Sequence, residues 1–286
     1  MTLNTKPIRI GNYFDIANNK PIFLMAGPCQ MENLDHSLFI AESIKKICDK
    51  LNIPYVFKSS FDKANRTSIS SKRGVGIEEG LKILEQVNKQ VGIPTITDVH
   101  LPEQAKPVAE VVDILQVPAF LCRQTDLLKA ISEQGKPIHV KKMQCLAPWT
   151  MESIVKKCNS FGNDKIILCE RGTAFGYGTQ IIDVRSLPVM AQWAPVTIDC
   201  THAVQHPGGK VTGGNRDMAQ VFASASVAVG VAGVFAEVHQ DPKNAPSDSA
   251  TMIELDRLEK ILYRLVLLDK IAKENPMEIR DYNIVM

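Results

Sequence analysis

Four residues far apart in the chain, Cys29, His202, Glu237 and Asp248, offer a thiolate, an imidazole and two carboxylates, a mixed soft and hard donor set that suits Fe2+, Zn2+ or Mn2+. Spacing alone leaves two readings open: a divalent-metal centre, or a satisfied core histidine with a small buried thiol elsewhere. A second set is cationic. Lys58, Lys63, Arg66, Arg123, Lys141 and Arg171 stand at or shortly after the ends of apolar runs, and guanidinium and ammonium groups gathered in one place suit a small polyanion carrying phosphate or carboxylate. Lys45-Lys46 and Lys156-Lys157 fall in helical segments and read as solvated faces.

The order of elements decides whether these positions meet. Eight short apolar or β-branched runs recur: IFLMAG (22–27), YVFKSS (55–60), TITDVH (95–100), DILQV (113–117), IHVKK (138–142), KIILCE (165–170), VTIDCTH (196–202) and VFAEVH (234–239). Between them lie segments of helical periodicity, such as Ile77, Leu81, Leu84 and Val87, or Leu255, Leu258, Leu262 and Leu265. This is the pattern of βα units, which wind into an open sheet or a closed barrel. No G-x-G-x-x-G follows the first run and the count is eight without surplus, which predicts an α/β fold of the (β/α)8 TIM barrel type. IRI and YFDI around Gly11-Asn12 predict a short N-terminal β-hairpin at the barrel bottom within residues 1–20. With no linker, repeat or low-complexity segment, residues 1–286 are expected to form a single domain.

Barrel sites lie at the C-terminal ends of the strands. Nearly every run here ends in polar residues, among them Cys29, Lys58-Ser59-Ser60, Asp98-Val99-His100, Gln116, Lys141-Lys142, Glu170-Arg171 and Glu237. The predicted mouth is strongly cationic, with Cys29, His202, Glu237 and Asp248 brought together because the first, seventh and eighth strands are neighbours. Two connections read as covers over it, residues 61–76 and the glycine-rich stretch 207–214, the latter equally readable as a flexible turn. No Walker A pattern is present.

Composition narrows the function class. At 286 residues with 45% hydrophobic and 22% charged residues, the chain is that of a packed globular protein. Lys plus Arg total 33 against 31 Asp plus Glu, and a net charge of +2 gives no electrostatic case for a nucleic-acid or anionic-membrane partner. No uncharged apolar stretch approaches the roughly 18–20 residues of a membrane span, and the N-terminus has no apolar h-region, so a soluble, cytoplasmic protein is expected. Seven scattered cysteines without a C-x-x-C pair argue against a disulfide framework or a zinc finger.

The strings KSSFDKANRTS (58–68), VVDILQVPAFLCRQTDLL (111–128), VKKMQ (140–144), ERGTAFGYG (170–178) and THAVQHPGG (201–209), with the stretch from Glu237 to Asp248, closely resemble the 3-deoxy-D-manno-octulosonate 8-phosphate synthases over about Ile22 to Ala272. Lys63-Ala64-Asn65-Arg66 follows that pattern rather than the Lys-Pro-Arg-Thr of the 3-deoxy-D-arabino-heptulosonate 7-phosphate synthases, and Cys29 is similar to the metal-dependent class, whose metal-independent relatives carry Asn there. The resemblance implies a homotetrameric transferase of lipopolysaccharide (KDO) biosynthesis that condenses phosphoenolpyruvate with D-arabinose 5-phosphate and water and releases phosphate. It implies Lys58, Lys63, Lys141 and Arg171 as the phosphoenolpyruvate clamp, with Ser60, Gln116 and Arg123 nearby. Asn65, Arg66 and Thr67 would receive the distal sugar phosphate, partly across a subunit boundary, and Asp98 and His100 would line the sugar site. Cys29, His202, Glu237 and Asp248 would hold a divalent metal ion, with His202 and Asp98 also among the catalytic residues. Alternatives are a heptulosonate synthase acting on erythrose 4-phosphate and a non-catalytic phosphosugar-binding barrel. The run Thr67-Ser68-Ile69-Ser70 departs from the family's Ser-Ser-Ile-His, and Gly178-Thr179 from its Asn-Asn.

Overall fold

The computed structural model describes residues 3–66, 68–206 and 213–282. It begins with an antiparallel hairpin, β1 (Ile8–Ile10) and β2 (Phe14–Ile16), turned through Gly11. Gly11 has a φ of 47° and a Cβ there would meet Asp113 Oδ1 at 2.6 Å, so glycine suits the turn. Then come β3 (Phe23–Gly27), α1 (Leu34–Leu51), β4 (Tyr55–Lys58), α2 (Ile77–Val91), β5 (Thr95–Asp98), α3 (Ala105–Val111), β6 (Ile114–Val117), α4 (Thr125–Ser132), β7 (Ile138–Lys141), α5 (Met151–Ser160) and β8 (Ile166–Glu170). The second half continues with a small pair, β9 (Thr173–Ala174) and β10 (Gln180–Ile181), then α6 (Ser186–Met190) and β11 (Val196–Asp199). Another small pair, β12 (Gln205–His206) and β13 (Gly213–Gly214), precedes α7 (Ala219–Val229), β14 (Gly233–His239), β15 (Ile253–Glu254) and α8 (Leu255–Glu274).

Strands β3, β4, β5, β6, β7, β8, β11 and β14 pair in that order, all parallel, and β14 returns to β3 to close the ring. This is the predicted (β/α)8 barrel. Closure leaves the ring no free edge, and each strand is buried on both faces, which is why the runs read as continuously apolar rather than alternating. The hidden alternation still sorts the side chains. Met25, Val56, Ile96, Ile114, Ile167 and Phe235 turn inward and cluster with Ile8, Ile10 and Ile16, so the hairpin closes the bottom of the barrel, as the sequence suggests. Leu24, Phe57, Leu115 and Leu168 turn outward onto helix residues such as Ile40, Ile44, Leu84, Val87, Leu258 and Leu262. Each such buried aliphatic side chain stabilises the fold by about 1.5–3 kcal/mol relative to exposure.

Local signals set the helix ends. Asn33 caps α1, its side chain accepting from His36 N at 2.8 Å, and left-handed Asn52 (φ 54°) ends it. The observed strands stop earlier than the runs suggest: YVFKSS yields Tyr55–Lys58, TITDVH yields Thr95–Asp98, and VTIDCTH yields Val196–Asp199. At the mouth the chain leaves the ladder to aim polar side chains inward. Among the described residues no helix is long and apolar enough to cross a membrane. All seven cysteines are free, and only Cys145 is exposed.

Candidate active site

Gly27 ends β3 where the first and second barrel strands approach too closely for any side chain, since a Cβ there would lie 2.1 Å from the Lys58 carbonyl oxygen. From it the chain passes through Pro28 to Cys29, whose buried Sγ donates to Asp248 Oδ2 at 3.1 Å. Glu237 lies on β14, His202 in the turn after β11, and Asp248 in the loop after β14, where its backbone is left-handed at φ 48°. A non-glycine residue in that region costs free energy and signals a functional constraint, and Asp is among the types that tolerate it. His202 Nε2 lies 3.4 Å from Glu237 Oε1 and 3.4 Å from Asp248 Oδ2. Donor atoms of Cys29, His202, Glu237 and Asp248 all lie within 4.8 Å of one another. Glu237 Oε2 is buried with no hydrogen-bond partner. A buried carboxylate oxygen left so is costly, and a cation would satisfy it. The residues therefore fit a divalent ion, and a hydrogen-bonded core histidine alone does not account for the orphaned oxygen.

Asp199 stands behind this group. His202 Nδ1–H donates to Asp199 Oδ2 at 2.7 Å, which fixes the tautomer and leaves Nε2 facing the other donors. Burial opposes the charged imidazolium, but the Asp199 and Glu237 carboxylates outweigh it and raise the His202 pKa. Burial, then Asp248 and Glu237, push the Cys29 thiol well up, so a thiolate there calls for a cation.

The cations occupy the adjoining wall. Lys58 Nζ lies 3.4 Å from Glu237 Oε1, 3.7 Å from Asp98 Oδ2 and 3.1 Å from Ser60 Oγ, and Lys63 Nζ lies 3.1 Å from Ser60 Oγ and 3.9 Å from Glu237 Oε1. Lys141 donates to Asp199 Oδ2 and sits 3.3 Å above the Phe235 ring centroid. Arg171 donates to Gln180 Oε1 and Gln205 Oε1. Asp98 accepts from Ser60 Oγ and Gln116 Nε2; burial works against its ionisation, but Lys58 and Lys63 prevail and hold the carboxyl well below its usual range. The strongly cationic mouth expected from sequence is thus corrected to one of interleaved sign. The same strand ends that supply lysines supply Asp98, Asp199 and Glu237.

One cavity of about 600 Å³ joins the two sets. Lys58, Lys63, Arg66, Lys141 and Arg171 line it, as do Asn65, Asp98, His100, Gln116, His202 and Asp248. Ser60 lies buried beneath its wall, bonded to Asp98. Arg66 is tied to Gln30 Oε1 at 2.8 Å and the Pro246 carbonyl at 2.7 Å, so the 61–76 connection is fastened at that point. Arg123 is not brought into this cavity. It is exposed just before α4, two residues beyond Leu121, which lines the cavity. Thr67 and residues 207–212 of the glycine-rich stretch lie outside the described residues.

Sequence reasoning gave no role to Asp199, although the Asp-Cys-Thr-His string carries the signal of a carboxylate three residues before a histidine. Gln180 and Gln205 have no such signal, because they arrive from the two-residue strands β10 and β12, whose pairing cannot be read from spacing. Lys142, adjacent to Lys141, points away from the cavity and is fully buried against Glu170 at 3.3 Å. Glu170 also accepts from the Arg171 and Gly172 backbone N–H groups and so props the turn that carries Arg171. A second group, Glu32, His36 and His239, also has its donor atoms within 4.8 Å. It is held by hydrogen bonds instead. His239 Nδ1 accepts from the Asp241 N–H at 3.0 Å, so Nε2 carries the proton and donates to Glu32 Oε1 at 2.9 Å, leaving no lone pair for a metal.

Comparison with known proteins identifies the family. The model of the DAHP synthetase I family matches residues 6–274. The chain is 54% identical over 262 residues (91% of this chain, 96% of the relative) to the "2-dehydro-3-deoxyphosphooctonate aldolase" of Rickettsia bellii (strain OSU 85-389). It is 51% identical over 269 residues (93% and 95%) to the protein of that name from Bartonella bacilliformis, and 52% over 272 residues (94% and 98%) to that from Rickettsia prowazekii. On its barrel, its cavity and a match spanning nearly its whole length, the chain belongs to the DAHP synthetase I family.

Proposed function

We propose that this protein condenses phosphoenolpyruvate with D-arabinose 5-phosphate and water to give 3-deoxy-D-manno-octulosonate 8-phosphate and inorganic phosphate, as a divalent-metal-dependent, cytoplasmic, homotetrameric enzyme of lipopolysaccharide biosynthesis. The observation that carries the reading is one cavity lined by Lys58, Lys63, Lys141 and Arg171 together with His202 and Asp248, two members of the donor group completed by Cys29 and Glu237. The names of the relatives support the substrate class, and the Lys63-Ala64-Asn65-Arg66 string favours the five-carbon sugar phosphate.

Phosphoenolpyruvate is small and highly charged, and the buried lysines and Arg171 offer charge-assisted donors for both its phosphate and its carboxylate. Holding it there fixes the enol so that C3 faces the second substrate. Asn65 and Arg66, toward the outer part of the cavity, suit the distal phosphate of the sugar, which leaves its aldehyde pointing inward. The C3–C1 bond then forms as the enol π electrons attack the aldehyde carbon, and the aldehyde oxygen takes a proton. Water adds at C2 and gives up the proton that the aldehyde oxygen gains; the new C2 hydroxyl then loses its proton as C2=O forms, the C2–O bond to phosphate breaks, and phosphate departs with that electron pair and the proton. Positive charge developing at C2 is met by the carboxylates of the interleaved mouth, and negative charge on oxygen by its lysines. A divalent ion held by Cys29, His202, Glu237 and Asp248 would supply Lewis-acid polarisation of an oxygen or a lowered pKa for water.

The test is product identity. Metal-replete protein given phosphoenolpyruvate and a mixture of arabinose 5-phosphate and erythrose 4-phosphate should yield the eight-carbon acid by mass spectrometry. Preference for the seven-carbon product would assign it to the heptulosonate reaction, and binding without either product would make it a phosphosugar-binding barrel.

A further inference from the structure

His139 lies on β7, two residues before Lys141, fully buried in the barrel interior and stacked on Phe235 with ring centroids 5.9 Å apart. It does not line the cavity, yet it is joined to the cavity wall by a chain of hydrogen bonds. His139 Nδ1 lies 2.9 Å from Gln116 Oε1, His139 Nε2 lies 2.9 Å from Thr197 Oγ1, and Gln116 Nε2 donates to Asp98 Oδ1.

The direction of every bond follows from one end. Asp98 is ionised and accepts only, so the Gln116 atom facing it must be the amide nitrogen. Gln116 Oε1 then faces His139 and can only accept, which places the proton of His139 on Nδ1. Burial, with Lys141 nearby, pulls the His139 pKa down to about 3, so the ring is neutral and has one N–H to give. Nε2 therefore accepts, and the Thr197 hydroxyl donates to it. On the other oxygen of Asp98, Ser60 Oγ gives its one hydrogen while accepting from Lys58 and Lys63, each at 3.1 Å. Thr197 Oγ1 also lies 3.3 Å from the Leu168 carbonyl oxygen, but its one hydrogen goes to the nearer His139 Nε2.

We infer that His139 is a positioning residue, which fixes the orientation of the Gln116 amide and through it the Asp98 carboxylate between the two lysines of the cavity. Without a donor at position 139 the buried Gln116 Oε1 loses its hydrogen-bond partner, and the amide can recover one only by turning away from the geometry in which its nitrogen holds Asp98. The inference rests on the condensation proposed above.

The experiment measures steady-state kinetics of wild type, His139→Leu and His139→Asn with phosphoenolpyruvate and arabinose 5-phosphate, together with melting temperature and bound metal. Leucine keeps the apolar packing and removes the donor; asparagine restores an N–H on a shorter side chain. The expected result is that His139→Leu loses about 100-fold in kcat with little change in either KM, since misplacing a group at a reacting site by about 1 Å costs that much. His139→Asn should recover at least ten-fold of the loss, with melting temperature and metal content close to wild type in both. Unchanged kcat in His139→Leu, or His139→Asn no better than His139→Leu, would overturn the inference. If His139→Leu does not fold, His139→Ala carries the same comparison. Wild type without turnover would instead refute the functional reading, and this inference with it.

Discussion

His202 and Asp199 are bonded Nδ1–H to Oδ2 at 2.7 Å, and this one bond decides that Nε2, not Nδ1, faces Cys29, Glu237 and Asp248. Asp199 also receives Lys141, so one carboxylate joins the candidate metal group to the candidate substrate clamp. An outer carboxylate of this kind raises the basicity of its histidine and typically contributes about 10–100-fold in metal affinity. Asp199→Asn should therefore bind a divalent ion about 10–100-fold more weakly by competition with a chelating dye. Wild-type affinity in that variant would remove Asp199 from the account.

Cys29 is the soft donor of the four. Cys29→Ala and His202→Ala should each reduce metal content by elemental analysis to near zero while the barrel still melts cooperatively. Cys29→Asn imitates the metal-independent relatives of the resembled family and should retain some turnover without metal. A full complement of metal in Cys29→Ala would show that the ion, if any, is held elsewhere.

Arg66 reaches the cavity from the connection after β4 and is fastened to Gln30 and Pro246. Placed against the distal phosphate of the sugar, its loss in Arg66→Ala should raise the KM for arabinose 5-phosphate at least ten-fold more than that for phosphoenolpyruvate. Equal increases for both substrates would put Arg66 at a shared point of the cavity.

Asp98 gives a pH signature. Its folded pKa lies below the unfolded value near 3.9, so the stability it contributes is complete above that value and is lost as pH falls through the depressed folded pKa. The stability difference between wild type and Asp98→Asn, from urea unfolding, should stay constant from pH 7 to about pH 5 and shrink below about pH 4. A difference that grows on acidification would contradict the ionised, lysine-paired carboxylate.

Gly27 tests the scaffold. A methyl group 2.1 Å from the Lys58 carbonyl must push β3 from β4, at a cost of about 3 kcal/mol or more, and would displace both Cys29 and Lys58. Gly27→Ala should show a clearly lowered melting temperature together with lost metal binding. A wild-type melt would mean that the strands can separate there without penalty.

Much of this was legible in the sequence for a physical reason. Strands buried on both faces leave apolar runs that need no alternation to be recognised, and their polar ends mark the mouth because a charged side chain is tolerated only where the barrel opens. Cys29, His202 and Glu237 could be assembled from strand adjacency alone. Asp248 could be added because it follows β14 closely, although its left-handed backbone was not foreseeable. What was not legible depends on which way a side chain turns. Lys141 and Lys142 read alike, yet one enters the cavity and the other is buried against Glu170 behind it. Arg123 reads like the other cations but lies beyond the turn after β6, facing solvent. The sign of the mouth was misjudged because cations were counted and their carboxylate partners Asp98, Asp199 and Glu237 were not. His139 read as part of a strand, and its bonds to Gln116 and Thr197 depend on three strands closing into one barrel.

The most direct test of the central claim is phosphate release from phosphoenolpyruvate, followed with and without arabinose 5-phosphate, before and after exhaustive chelation. The account predicts release only when the sugar phosphate is present, its loss on chelation, and its return when Fe2+, Zn2+ or Mn2+ is restored. Release that ignores the sugar phosphate, or full activity in protein shown by elemental analysis to hold no metal, would contradict it.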